Sequence, residues 1–130
     1  MIKINVIVKD KSWLKFIKNP ETYLKHKIKK IKNDKFFEKK SYSFSLQLSG
    51  SKEIKALNKK FRKKNKSTDI LSFPLYKKIK IKRNTYLGDI IISYNYIDKP
   101  RSQDLKSFKK KVTKILIHGF LHLLGFDHKK

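Results

Sequence analysis

Residues 118–128 read His118-Gly119-Phe120-Leu121-His122-Leu123-Leu124-Gly125-Phe126-Asp127-His128. His118 and His122 are four apart, so on a helix they share one face, with Cβ atoms about 5–6 Å apart. Two neutral imidazole nitrogens placed there can reach one ion at about 2.0–2.1 Å. Gly125 can end the helix in a left-handed conformation at low steric cost, which lets His128 return as a third ligand. Three protein ligands leave a fourth zinc position for water, the catalytic pattern rather than the closed structural one. The stretch therefore predicts one Zn2+ per chain, held by His118, His122 and His128 at the end of a C-terminal helix. The ligand spacing is metzincin-like, but those proteases carry Glu directly after the first His as general base. Here Gly119 holds that position. Glycine cannot transfer a proton, so peptide hydrolysis is discounted. Asp127 either orients a ligand histidine or holds the turn. His26 stands alone in a lysine-rich stretch and is expected to be structural or solvent-facing.

Upstream, the same helix is expected to begin after Pro100, capped by Ser102. Leu105, Phe108, Val112, Ile115, Leu116 and Leu123 recur at helical spacing on its core side. Tyr42, Phe44, Leu46 and Leu48 alternate with Ser43, Ser45, Gln47 and Ser49, the cleanest strand of the chain. Ile2, Ile4, Val6 and Val8 alternate in the same way. Trp13–Lys18 and Glu21–Lys32 read as helices, with Pro20 suited to a helix start. Ser51 is expected to cap a helix carrying Ile54, Leu57 and Phe61 on one face. Thr68–Phe73 reads as a short strand stopped by Pro74, and Tyr86–Ser93, with Ile90-Ile91-Ile92, as a buried one. Residues 33–40 and 77–84 read as basic connectors. This order gives one α+β domain spanning residues 1–130, with no internal repeat.

Composition narrows the function. Lys and Arg total 35 against 10 Asp and Glu, a net charge of +25. A field of that size attracts polyanions, and nucleic acid is the obvious one inside a cell. Only three of the basic residues are Arg, namely Arg62, Arg83 and Arg101, and the chain has 16 Ile and one Ala. Such a bias fits an AT-rich genome drifting toward lysine, so the arginines that persist carry more information than any single lysine. Cysteine is absent, which excludes disulfides, thiolate metal sites and cysteine nucleophiles. No apolar run approaches the roughly 18 residues of a membrane span, and the N-terminal apolar stretch is too short for a signal peptide. The expectation is a cytoplasmic protein without a membrane partner.

The histidine block resembles the signature of the YbeY family of bacterial ribosomal RNA maturation factors, which are metal-dependent endoribonucleases. Leu57-Asn58-Lys59-Lys60-Phe61-Arg62, followed by Thr68-Asp69-Ile70-Leu71-Ser72-Phe73-Pro74, is similar to the family's LNxxYR…TDVLSFP segment. Leu87-Gly88-Asp89-Ile90-Ile91-Ile92 is similar to its LGDIxI strand. The resemblance implies a small mixed four-stranded sheet flanked by helices, with the histidine helix lining a basic cleft. It implies that His118, His122 and His128 bind zinc and that Arg62 is the functionally essential arginine. The implied activity is single-strand-specific, zinc-dependent RNA cleavage in 16S rRNA 3′-end maturation and ribosome quality control. Ribosomal RNA, the small ribosomal subunit, a small-subunit ribosomal protein and an assembly GTPase are the implied partners.

The residues favour Arg62 independently. Arginine offers a planar fork to two phosphate oxygens where lysine offers a point charge. Arg83 and Arg101 are candidates only for contact with the RNA backbone. Asp69, Asp89 and Asp127 are the carboxylates of the matched segments, and none stands out as a general base. Phe73, Tyr76 and Tyr86 are candidates for base stacking, and Phe73 is expected to pack in the core. The chain departs from the family in three places. It ends at Lys130 without an acidic C-terminal helix. Lys109, Lys110 and Lys111 fill the stretch where members carry a carboxylate, and Lys66-Ser67 replaces a proline. Two other functions are compatible with the motifs: a ribosome-assembly or RNA-binding factor with a largely structural zinc, and a metal-dependent hydrolase of another substrate.

Overall fold

A computed structural model describes residues 2–29, 41–75, 84–99 and 104–124. Expectations that fall on Tyr76, Arg83, Arg101, Ser102, Gly125, Asp127 and His128 lie outside them, as do those on most of the two basic connectors. The four strands are β1 (Ile2–Val8), β2 (Ser41–Ser49), β3 (Ile70–Pro74) and β4 (Asn84–Ser93). The helices are α1 (Pro20–Lys29), α2 (Ser51–Arg62), α3 (Tyr94–Ile97) and α4 (Leu105–Leu123), with one 3-10 turn at Lys11–Lys15. The strands form one mixed sheet in the order β1-β2-β4-β3. The first three run parallel, and β3 pairs antiparallel with β4 as the edge strand. The expected α+β architecture with a four-stranded mixed sheet is therefore present.

Alternation decides which face each strand buries. Tyr42, Phe44, Leu46 and Leu48 are all buried against α1 and α4, together with Ile2, Ile4, Leu87, Ile90 and Ile92. The helices answer with Leu24 and Ile28 from α1 and with Phe108, Val112, Leu116, Phe120 and Leu123 from α4. Trp13 is fully buried, and its indole N–H donates to the Ser49 carbonyl at 2.9 Å, tying the 3-10 turn to the end of β2. The opposite face is covered only in part. There α2 packs Ile54, with Leu57 beside it, on Leu71, Ile91 and Phe73.

β4 carries a bulge. Ser43 pairs with Tyr86, but Ser45 pairs with Asp89, so Phe44 alone opposes Leu87 and Gly88. The extra residue resets the alternation. Thr85, Leu87, Ile90 and Ile92 are all buried, whereas Tyr86 and Asp89, three apart, are both exposed. Gly88 makes this possible with φ of +138°, and a side chain there would collide with the Phe73 backbone carbonyl.

Several expectations change. Lys11–Lys15 is a 3-10 turn rather than part of a helix over 13–18. Ser51 is the first residue of α2 and not its cap; Gly50 caps it without a side-chain bond. α4 starts later than Ser102, because the Asp104 carboxylate accepts the Ser107 N–H at 2.7 Å and caps the helix there. Leu105 and Phe61 are not core residues, being 45% and 59% exposed. β3 includes Pro74, which an edge strand tolerates. The α3 turn has too few residues to show a helical period.

Candidate active site

The arginine comes from the end of α2. That helix stops at Lys63, which adopts a left-handed conformation (φ 55°). The backbone N–H groups of Lys63 and Lys64 both donate to the Asn58 carbonyl, closing the last turn. The buried Asn58 side chain reaches onward and donates to the Lys66 carbonyl at 2.9 Å. The final helical residues, Phe61 and Arg62, are thus held at the rim of the sheet with their side chains exposed.

The histidines come from α4. One stripe of that helix, including Phe108, Val112, Leu116, Gly119, Phe120 and Leu123, is buried. Next to it on the helix surface lie His118, exposed, and His122, partly buried. Gly119 brings the helix close to the sheet. A Cβ there would lie 2.7 Å from Ile70 Cδ1 and 3.2 Å from Ile90 Cδ1. The direction in which a metzincin-type glutamate would leave α4 is therefore filled by the sheet.

Both elements meet over β3. Arg62, His118 and His122 line one cleft of about 490 Å³, with Phe61, Ser72 and Pro74 among its walls. Three residues drawn from separate sequence segments thus share a single concave surface. Among the described residues no carboxylate lines this cleft, and no group of three metal-binding side chains is found. Asp69 is occupied elsewhere: its carbonyl accepts from Ser93 N–H at 2.9 Å, and its carboxylate lies 3.2 Å from the Thr68 hydroxyl. His26 is exposed on α1, away from the cleft.

The donor set can be tested against a zinc ion. His122 Nδ1 is buried and has no hydrogen-bond partner among the described residues. A buried polar nitrogen without a partner is costly, and it sits in the same cleft as a second imidazole. Neutral imidazoles are the donors zinc prefers beside thiolates. His118 and His122 fit as two of its ligands.

A second cleft, of about 510 Å³, adjoins the first across Phe61 and Phe73, which line both. It opens on the partly covered sheet face, and Ser45, Gln47 and Asp89 supply its polar groups. The Tyr86 hydroxyl donates to the Asp89 carboxylate and lies 2.7 Å from Ser45 Oγ. Burial, followed by the Asp89 carboxylate, raises the Tyr86 pKa above the usual phenol value. Pattern reading of β4 missed this pairing, since residues three apart on a regular strand face opposite ways. A glycine inside an otherwise apolar strand was the available signal for a bulge.

Known proteins give the context. The Endoribonuclease YbeY family matches residues 8–130. A protein of Pelagibacter ubique named Endoribonuclease YbeY is 48% identical over 130 residues, covering 100% of this chain and 85% of the relative. One of Ehrlichia canis with the same name is 36% identical over 135 residues, covering 100% of this chain and 81% of the relative. A solution structure from Thermotoga maritima has a TM-score of 0.57 and 28% identity, covering 99% of this chain and 75% of that one. The match runs through the helix that carries the histidines and the helix that ends at Arg62, so the chain belongs to the Endoribonuclease YbeY family.

Proposed function

We propose that this protein is a single-strand-specific endoribonuclease whose zinc is held by His118, His122 and His128, and that it trims the 3′ end of 16S ribosomal RNA and serves ribosome quality control. The observation that carries the reading is the convergence of Arg62 with His118 and His122 on one cleft. Family membership supports an endoribonuclease role, and the net charge of +25 suits an RNA substrate. The zinc ligands rest on the chemistry of the residues, and the 16S rRNA and quality-control roles on the family resemblance.

Arg62 would clamp two oxygens of the scissile phosphate through its planar fork. Its fixed charge would offset the charge that builds on those oxygens during cleavage, an effect worth about 10²–10³ in rate for comparable donors. The packing of α4 against β3 and β4 fixes which side of the helix, and so which histidines, turn toward the cleft. When bound, zinc would supply Lewis acidity toward a phosphoryl oxygen and toward water. The described walls offer no carboxylate to take a proton, so whether water or the ribose 2′-hydroxyl of the substrate attacks, its proton would pass to solvent or to a phosphate oxygen. The partners in this reading are the small ribosomal subunit, one of its proteins and an assembly GTPase.

The test is cleavage of a 16S rRNA fragment carrying a 3′ extension, before chelation, after chelation and after zinc is restored. We expect cutting to stop on chelation and to return with zinc. Ends bearing a 2′,3′-cyclic phosphate would assign attack to the 2′-hydroxyl, and a 5′-phosphate with a 3′-hydroxyl would assign it to water. Undiminished cutting without metal would overturn the zinc reading.

A further inference from the structure

The histidine cleft does not account for the second cleft beside it. That cleft has apolar walls from Leu57, Phe61, Phe73 and Ile91, with Asp89 and Ser45 converging on it. Its volume of about 510 Å³ falls in the ~300–1,000 Å³ range of small-ligand sites, which are mostly apolar with a few fixed polar groups. In a chain with 35 basic and 10 acidic residues, an exposed carboxylate beside an RNA-cutting cleft repels phosphate. Its place there needs another reason.

Two features aim that carboxylate. The bulge at Leu87-Gly88 turns Asp89 to the same face as Tyr86 and Ser45. The Tyr86 hydroxyl then holds one carboxylate oxygen, leaving the other oxygen and the remaining lone pairs for a ligand. Bulges of this kind re-aim side chains beside active sites. Phe61 stands at the boundary of the two clefts, 59% exposed, its ring set edge-on to Phe73 at 5.7 Å and 69°. Lys60 lies over the Phe61 ring at 5.2 Å and adds a cation at the same rim. Exposed aromatic rings beside cations are how proteins stack the bases of single-stranded RNA.

We propose that the second cleft is a base-reading subsite that takes a guanine next to the scissile phosphate. It rests on the ribonuclease reading of the adjoining cleft. A carboxylate only accepts hydrogen bonds. Guanine is the RNA base whose Watson–Crick edge sets two donors side by side, N1–H and the N2 amino group. Adenine and cytosine place a ring acceptor next to their amino group, and uracil flanks its single donor with two carbonyls. Asp89 therefore pairs with guanine by two bonds and meets a lone pair on each other base. Phe61 supports the ring, and Tyr86 acts as a positioning residue for Asp89.

The test uses heptamers of uridine with one central guanosine, inosine or adenosine, and the all-uridine heptamer. Binding to the full chain is read by fluorescence anisotropy, and cut positions are mapped on the same strands. We expect the guanosine strand to bind about tenfold tighter than the adenosine strand, in line with the worth of a bidentate base contact. Inosine, which lacks the N2 amino group, should fall between them. In Asp89→Asn the guanosine-to-adenosine ratio should fall to about one, and in Tyr86→Phe it should fall partway. The readout is a ratio, so a general loss of affinity or of folded protein does not imitate the effect. Equal binding of all four strands, or a preference that survives Asp89→Asn, overturns the subsite while leaving cleavage intact. Absence of any cutting with the guanosine preference retained would strike the ribonuclease reading alone, and absence of binding to every strand would strike both.

Discussion

At Gly88 a single missing side chain decides how two clefts are arranged. Its φ of +138° and the Phe73 carbonyl against it leave no room for a methyl group. Gly88→Ala is expected to lower stability by about 2 kcal/mol or more, the cost of forcing an L-residue into such a conformation. Thermal or urea unfolding would measure it, and a change within about 0.5 kcal/mol would show that the bulge relaxes freely. The chemistry-bearing residues were legible one by one: the four-residue histidine spacing and the rare arginine both pointed at the cleft that Arg62, His118 and His122 line. Asp89 was legible as a carboxylate but not as a neighbour of Tyr86, because a bulge changes the facing of every residue after it and leaves only a glycine as its mark. His128, the expected third ligand, lies outside the described residues.

Elements followed their apolar periods, and their ends followed local hydrogen bonds that periodicity does not see. Both β1 and β2 lie where alternation puts them, and α1 begins at Pro20 as its fixed φ favours. The expected start of α4 differs from the observed one, because Ser102 and Asp104 are equally good capping residues and only the Asp104–Ser107 bond chooses between them. That bond lowers the Asp104 pKa below the usual carboxylate value. The sign follows. A carboxyl group with a depressed folded-state pKa stabilises the fold above its unfolded value of about 3.9, and the contribution is lost as pH falls through the lower folded value. We therefore expect the amides of Ser107 and its neighbours to shift and to lose protection relative to their intrinsic exchange rates below about pH 4, while Asp104→Asn, which keeps a capping oxygen, should flatten that dependence. An NMR pH titration of the α4 amides checks both. An unchanged Ser107 amide through the acid range would remove Asp104 as the cap.

For the whole molecule, the sheet order explains why the cleft sits where it does. β3 is an antiparallel edge strand, so α2 on one face and α4 on the other reach around it from opposite sides. Phe61 and Arg62 then face the histidines across that edge. No helix among the described residues is long and apolar enough to cross a membrane. Charge acts at this scale too. If the lysines hold phosphates, log affinity for single-stranded RNA should fall linearly with log salt, with a slope of about −0.7 per phosphate engaged, or about −3 for four phosphates. A flat salt dependence would mean that lysine enrichment reflects codon drift rather than binding. In the proposed reaction Arg62 and the α4 histidines act together on one RNA phosphate. The most direct measurement is the cleavage rate of a single-stranded RNA by the wild-type chain beside Arg62→Ala and His122→Ala, each shown to be folded by circular dichroism. A loss of about 10²-fold or more is expected in each variant; equal rates for all three proteins would rule out joint action on the phosphate.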